Sequence, residues 1–330
     1  MALKRYALLA AASLVLSLAV PLSYGGLDAV RGLLRAPPWL PLCVIAMVLA
    51  GWVLNALRLR LLSRGVGPPL PLRKALGTMI ATEFAICATP AGAGGPLTYV
   101  YLLGREGLKT AHAAALFATE QVMDLLFFIG VLPVALLLLF TRTDLPHLGG
   151  LAAVLALVLT SGMLAVWLLL RHYRPVLLLA GRLLHRLKVS RRTRNRLARW
   201  ALQFRSGVGL LLGMPRRRLF AVYVLCAGHW MLRYSVLYIV LWGLGEPIAW
   251  SYLLLAQMLS LSAGQLTFLP GGSGGVELGM SALLAPFVPS STLASALILW
   301  RFGIHYWYLI AGAPVFLATA GSAMFRRITA

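Results

Sequence analysis

This sequence predicts an all-α membrane protein with several spans, and three observations carry that prediction. Hydrophobic residues make up 60% of the chain and charged residues 12%, with a mean hydropathy of +0.86. That is more apolar surface than one soluble core can hide. Several apolar runs reach the roughly 20 residues a helix needs to cross hydrocarbon. The Lys and Arg residues behind the formal charge of +22 cluster between those runs, where the positive-inside rule puts them at a cytoplasmic surface. No nucleic-acid partner is expected on that footing.

The first run, 6–24, follows a charged start and has the layout of a signal peptide, yet it approaches the length of a full crossing. Because other spans follow it, a retained first helix is the preferred reading. Runs at 39–57, 111–140, 148–170, 218–243 and 291–324 bring the expectation to about six transmembrane helices. Cys43, Cys87 and Cys226 sit singly inside apolar runs and read as small core residues, so neither a metal nor a cofactor is expected.

Two further apolar segments, 75–103 and 250–285, are broken by "TPAGAGG" at 89–95 and "LPGGSGG" at 269–275. Both fit P-x-G-x-G-G, from Pro90 to Gly95 and from Pro270 to Gly275, at a spacing of 180 residues. Arg58, Arg60, Arg64, Arg73 and Lys74 mark the chain ahead of the first broken segment as cytoplasmic, and Arg105 and Lys109 mark the chain after it likewise. The segment is therefore predicted to enter the membrane and return. Parity along the later spans makes the second one dip in from the opposite face. The expectation is an inverted-topology repeat of halves 1–145 and 218–330 within one integral membrane domain, 1–330. Both termini are then cytoplasmic, in a plasma (inner) membrane.

Between the halves, residues 171–217 form a basic connector, and the loop from 171 to 218 holds 14 of the 30 Lys and Arg residues. Leu197, Trp200, Ala201, Phe204, Val208 and Leu211 recur at helical spacing among the arginines. The connector reads equally as an amphipathic helix on anionic headgroups and as a solvated link.

Non-helical backbone at membrane depth persists only where protein buries it or where it lines a wet cavity. Glycines there serve either close helix packing or a concave cradle of N–H groups for an anion. Two copies with proline at the same place favour the cradle, with the amides of Gly92, Gly94, Gly272 and Gly274 turned to a phosphate. Gly95, Gly271 and Gly275 complete the two loops.

Intramembrane ionisable residues give a second signal, because each costs roughly 2.5–3.5 kcal/mol facing lipid. Glu120 and Asp124 lie four apart, as do Arg301 and His305, and His229 and Arg233; Glu83 and Glu277 flank the motifs. Each pair reads equally as an ion pair fixing helix register or as part of a charged route. Together they predict that Glu120, Asp124, Glu277 and Arg301 line one cavity, with His305 beside it and Arg233 or Arg301 receiving a phosphate.

"PGGSGGVE" from Pro270 to Glu277, "PAGAGG", "YLLGREGLKTAHA" and "TEQVMD" resemble the lysylphosphatidylglycerol synthase transmembrane region, also called the flippase-like domain. The resemblance covers nearly the whole chain. It implies a polytopic bacterial membrane protein with re-entrant helices that handles lipids or moves them across the membrane. The chain departs from the family pattern where Gly95 and Thr98 replace an acid and an arginine, and where Gln121 replaces an arginine. The soluble aminoacyl-transferase domain of full-length synthases is not expected here, nor is an enzyme.

The leading expectation is a lipid flippase or lipid-handling transporter, its cargo an aminoacylated phospholipid, a hopanoid or a polyprenyl-linked lipid. A membrane-embedded lipid-modifying transferase is one alternative, although no loop carries the paired acids that metal-dependent transfer needs. A small-solute secondary transporter is the other. A second copy of the chain or a biosynthetic enzyme are the protein partners such a molecule would take.

Overall fold

The computed structural model describes residues 2–67, 69–142, 157, 160 and 190–329. Every regular element among them is a helix. In chain order these are α1 (Ala2–Arg35), α2 (Trp39–Ser63), α3 (Leu72–Ala88), α4 (Gly94–Arg105), α5 (Thr110–Arg142), α6 (Arg191–Leu212) and α7 (Arg216–Gly243). Then come α8 (Trp250–Gln265), α9 (Gly275–Leu284), α10 (Ser290–Arg301), a π-helical turn (Phe302–Tyr306) and α11 (Trp307–Thr329). The expected span at 148–170 lies outside the described residues.

Four segments are long and apolar enough to cross a bilayer: Trp39–Ser63, Thr110–Leu139, Arg216–Gly243 and Ser290–Gly321, with mean hydropathies of 2.2, 2.6, 1.4 and 1.2. The last two score lower because they carry His229 with Arg233, and Arg301 with His305. Their outward faces remain apolar, as exposed Phe220, Val224, Ile310 and Leu317 show. Polar side chains face inward, as lipid contact requires.

The broken segments become helical pairs, α3 with α4 and α8 with α9. These helices have 17, 12, 16 and 10 residues, so each is shorter than the roughly 20-residue crossing. Small residues let the pairs close up. A side chain at Gly95 would strike Ile86 of α3, and one at Gly264 would strike Val276 of α9.

A shift of 180 residues carries α2 onto α7, α3 onto α8, α4 onto α9, each within three residues at either end, and α5 onto the run from α10 to α11, which begins at the equivalent residue and extends seven residues further. The same shift carries α1 onto the stretch containing α6. The packing follows suit: α1 lies on α10, with Gly25 against Ala294 and Gly32 against Ser295, while α6 lies on α5, with Gly207 against Ala115. On α6, Leu211 is buried and Phe204 and Val208 are partly buried against the core, whereas Arg199 and Arg205 are exposed.

One reading of the basic residues is corrected. Arg58 does not flank a loop. It lies inside α2, 5% exposed, and its charge is held by acids of α5.

Candidate functional site

The two motif loops meet. Pro90 and Pro270, equivalent under the 180-residue shift, pair as an isolated antiparallel bridge. Proline has no N–H to continue a helix, so each chain breaks there, and the breaks face each other inside the protein.

The loop amides are engaged within their own turns. Gly92 N donates to Thr89 O at 3.1 Å and Gly272 N to Leu269 O at 2.9 Å. Gly94 N donates to Thr89 Oγ1 at 2.8 Å, and Gly274 N to Glu277 Oε2 at 2.7 Å. The expected amide cradle is thus filled by the protein's own groups. At the start of α9 the Glu277 carboxylate stands where an anion would sit, favoured by the free N–H groups and dipole of a helix N-terminus.

Glu277 is itself neutralised. Arg301 Nε donates to Glu277 Oε1 at 2.5 Å, and Arg301 Nη2 donates to Gly271 O at 3.1 Å. Ser13 of α1 adds bonds to Pro270 O at 2.8 Å and Ser273 Oγ at 2.7 Å. Gly271, at φ 63°, brings its backbone so close to the His305 imidazole that any side chain there would collide. Gly272, at φ 65°, lies against the Gly264 backbone, 3.0 Å from where a Cβ would stand.

A pocket opens between the loops. Arg233, Arg301, His305 and Gln265 supply its polar wall, Gly92, Gly271 and Gly272 its floor, and Ile86, Leu261, Leu269 and Ile304 its apolar side. It holds about 80 Å³ of water-accessible space, against the roughly 10–15 Å³ that one water needs. His305 is 1% exposed and its Nε2 has no partner. Arg233 is held loosely: Glu83 Oε2 lies 3.9 Å away and Tyr308 Oη accepts a bond at 3.1 Å. Its guanidinium also sits 5.2 Å from the Tyr308 ring centre. An anion entering the pocket would meet two guanidiniums and an imidazole.

Gln265 and Leu269 flank Leu266 and Phe268, which are 78% and 69% exposed. The rim beside the pocket is therefore bare and apolar, in a chain whose exposed apolar surface faces lipid.

Glu120 and Asp124 belong to a different cluster. Asp124 Oδ1 accepts from Arg58 Nη1 at 2.5 Å, Trp230 Nε1 at 2.9 Å and Cys226 Sγ at 3.2 Å. Arg58 Nη2 is 3.7 Å from Glu120 Oε2. The structure thus brings together Arg233, Arg301, His305 and glycines of both loops, sets Glu277 directly on Arg301, and pairs Glu120 and Asp124 with Arg58. His229 takes no part in the pocket's polar wall; it bonds Asn55 at 3.3 Å and the Gly51 carbonyl at 3.2 Å. Sequence reasoning missed Arg58, Gln265 and Tyr308. Arg58 could have been found from Asn55 three residues before it, since two polar residues one turn apart in an apolar run mark an inward face.

Among the described residues no three His, Cys, Asp or Glu side chains stand together in a way that could hold a metal ion.

A UPF0104 membrane protein of Archaeoglobus fulgidus is 24% identical over 286 residues, covering 83% of this chain and 85% of its own length. A UPF0104 membrane protein of Methanothermobacter thermautotrophicus is 25% identical over 151 residues, 44% of each chain. The pattern that defines the lysylphosphatidylglycerol synthase TM region matches residues 6–312. With nearly its whole length matched, the chain belongs to that family of membrane proteins.

Proposed function

We propose that the protein moves a lipid with a phosphate-bearing headgroup between leaflets, receiving the phosphate in the pocket between the two Pro/Gly loops. One observation carries this reading: a pocket walled by Arg233, Arg301 and His305 lies beside the bare apolar rim of Leu266 and Phe268. A charged headgroup fits the wall and an acyl chain fits the rim. A free solute would need no apolar rim, which favours lipid over small-solute transport.

The matching elements at a 180-residue offset and the antiparallel meeting of Pro90 with Pro270 support an inverted-topology repeat. In it the two helical pairs are re-entrant from opposite faces, and the halves rock about the pocket to expose it alternately. The clustering of Lys and Arg between the runs supports termini on the cytoplasmic side of a plasma membrane. The exposed Arg199 and Arg205 of α6 lie near anionic headgroups of the same side.

The test is reconstitution with fluorescent phosphatidylglycerol and a membrane-impermeant quencher. The intact protein is expected to raise inter-leaflet exchange above protein-free vesicles. Arg233→Gln should lower it about tenfold or more, as the loss of one charge-assisted contact implies. No acceleration with any phosphate-bearing lipid, alongside passage of a small anionic solute, would overturn the reading.

A further inference from the structure

The buried charges do not balance, and the imbalance is local. Glu277 has Arg301 and Glu83 has Arg233, but Glu120 and Asp124 share Arg58. Among the described residues three buried guanidiniums therefore face four carboxylates, and the excess negative charge falls on the cluster of α2 and α5. A buried charge without a counter-charge is strongly disfavoured, and an acid relieves that cost by taking a proton.

Geometry selects the acid. Asp124 accepts three hydrogen bonds through Oδ1, so its carboxylate is well served by donors. Glu120 is 2% exposed, lies 3.7 Å from Arg58, and its Oε1 has no hydrogen-bond partner, whereas Glu83, 3.9 Å from Arg233, keeps 15% of its side chain exposed. The groups facing it are Arg58 from α2, Asp124 from its own helix, Tyr99 from α4 and Glu83 from α3. From α7, Cys226 and Trp230 donate to Asp124. The Tyr99 hydroxyl of α4 is buried and faces Glu120. That hydroxyl can donate to the ionised Glu120 carboxylate or accept from the protonated one.

We infer that Glu120 is a proton-binding site, separate from the pocket, whose occupancy sets where Arg58 is held. With Glu120 protonated, Arg58 belongs to Asp124 alone; with Glu120 ionised, the guanidinium is drawn between the two acids. That shift has a physical path to the pocket. Asn55, one turn before Arg58 on α2, bonds His229 on α7 at 3.3 Å, and Arg233 lies one turn beyond His229. As a coupling ion for transport the proton rests on the translocation reading; as a bound proton it does not.

Infrared difference spectroscopy of the full chain in lipid nanodiscs, titrated from acid to alkaline pH, tests the binding. The wild type should show the C=O stretch of a protonated carboxyl that fades as pH rises. Glu120→Gln should abolish that band. Asp124→Asn should keep it and move its midpoint down by about one pH unit or more, because Arg58 then serves Glu120 alone. Persistence of the band in Glu120→Gln, or an unmoved midpoint in Asp124→Asn, overturns the inference. If Glu120→Gln does not fold, Tyr99→Phe carries the test, since removing the facing hydroxyl should shift the band's frequency, and an unmoved band counts against Glu120. In vesicles with a pH gradient, the ratio of lipid exchange with and without the gradient should fall to one in Glu120→Gln. Wild-type vesicles that show no exchange would end the translocation reading and leave the proton site to be decided by the spectra.

Discussion

The two Pro/Gly loops share a motif and a meeting point but are fastened differently. The second is held from three directions: by Arg301 through the Gly271 carbonyl, by Glu277 through the Gly274 amide, and by Ser13 of α1 through the Pro270 carbonyl. The first is held within itself. Thr89 donates to the Ala85 carbonyl at 2.6 Å and accepts from the Gly94 amide at 2.8 Å. Equal letters thus produce one loop clamped by charge and one tied by a single hydroxyl. The difference suggests that the clamped loop is the fixed wall of the pocket and the tied loop the wall that yields.

Substitutions can break or sharpen that contrast. The largest effect is expected from Arg301→Gln, which leaves Glu277 fully buried without its counter-charge. Breaking a buried pair costs about 3–5 kcal/mol, so the purified variant should lose most of its thermal stability.

Next comes Gly272→Val, at about 1–3 kcal/mol for a β-branched residue at positive φ. Its cost should exceed that of Gly92→Val. Both glycines have positive φ, but a Cβ at Gly272 meets the Gly264 backbone, whereas at Gly92 it meets the Ile86 side chain at 3.3 Å, which can move. Equal melting temperatures for the two variants would remove the distinction between the loops.

Thr89→Val follows, at about 1–2 kcal/mol, because it strands the Gly94 amide. It should speed local hydrogen exchange at residues 92–95 and leave 271–275 unchanged. The smallest effect has the opposite sign. Ala91 sits at φ 49°, so Ala91→Gly should stabilise by up to about 1 kcal/mol, while Gly271→Ala at the equivalent position should destabilise by colliding with His305.

The sequence revealed the spans and the breaks because apolar length, proline and glycine act locally, and α2, α5, α7 and the run from α10 to α11 lie where the apolar runs placed them. What stayed hidden is non-local. Arg58 reads as a flank because it closes an apolar run, and only the fold sets it against Asp124, 66 positions away. The loop amides looked free because the groups that use them, the Thr89 hydroxyl and the Glu277 carboxylate, are close in sequence but act through side-chain geometry that no spacing shows. The likeness of α6 to α1 was masked by composition: α6 carries arginines through its first half while α1 has an uncharged apolar middle between Arg5 and Asp28, yet each packs on the start of the equivalent helix through glycine.

The bonds from Ser13 to the second loop bear on the order in which the molecule is assembled. A ribosome delivers α1 before the other described helices, but the polar partners of its Ser13 at Pro270 and Ser273 emerge 257 and 260 residues later. Arg58 finds Asp124 after only 66 residues, so that charge cluster can settle while synthesis continues. Glu83 must wait for Arg233, and α1 must wait longer still. The earliest of the described helices is thus among the last to be fastened, and until then the Ser13 hydroxyl can turn back to a carbonyl of its own helix.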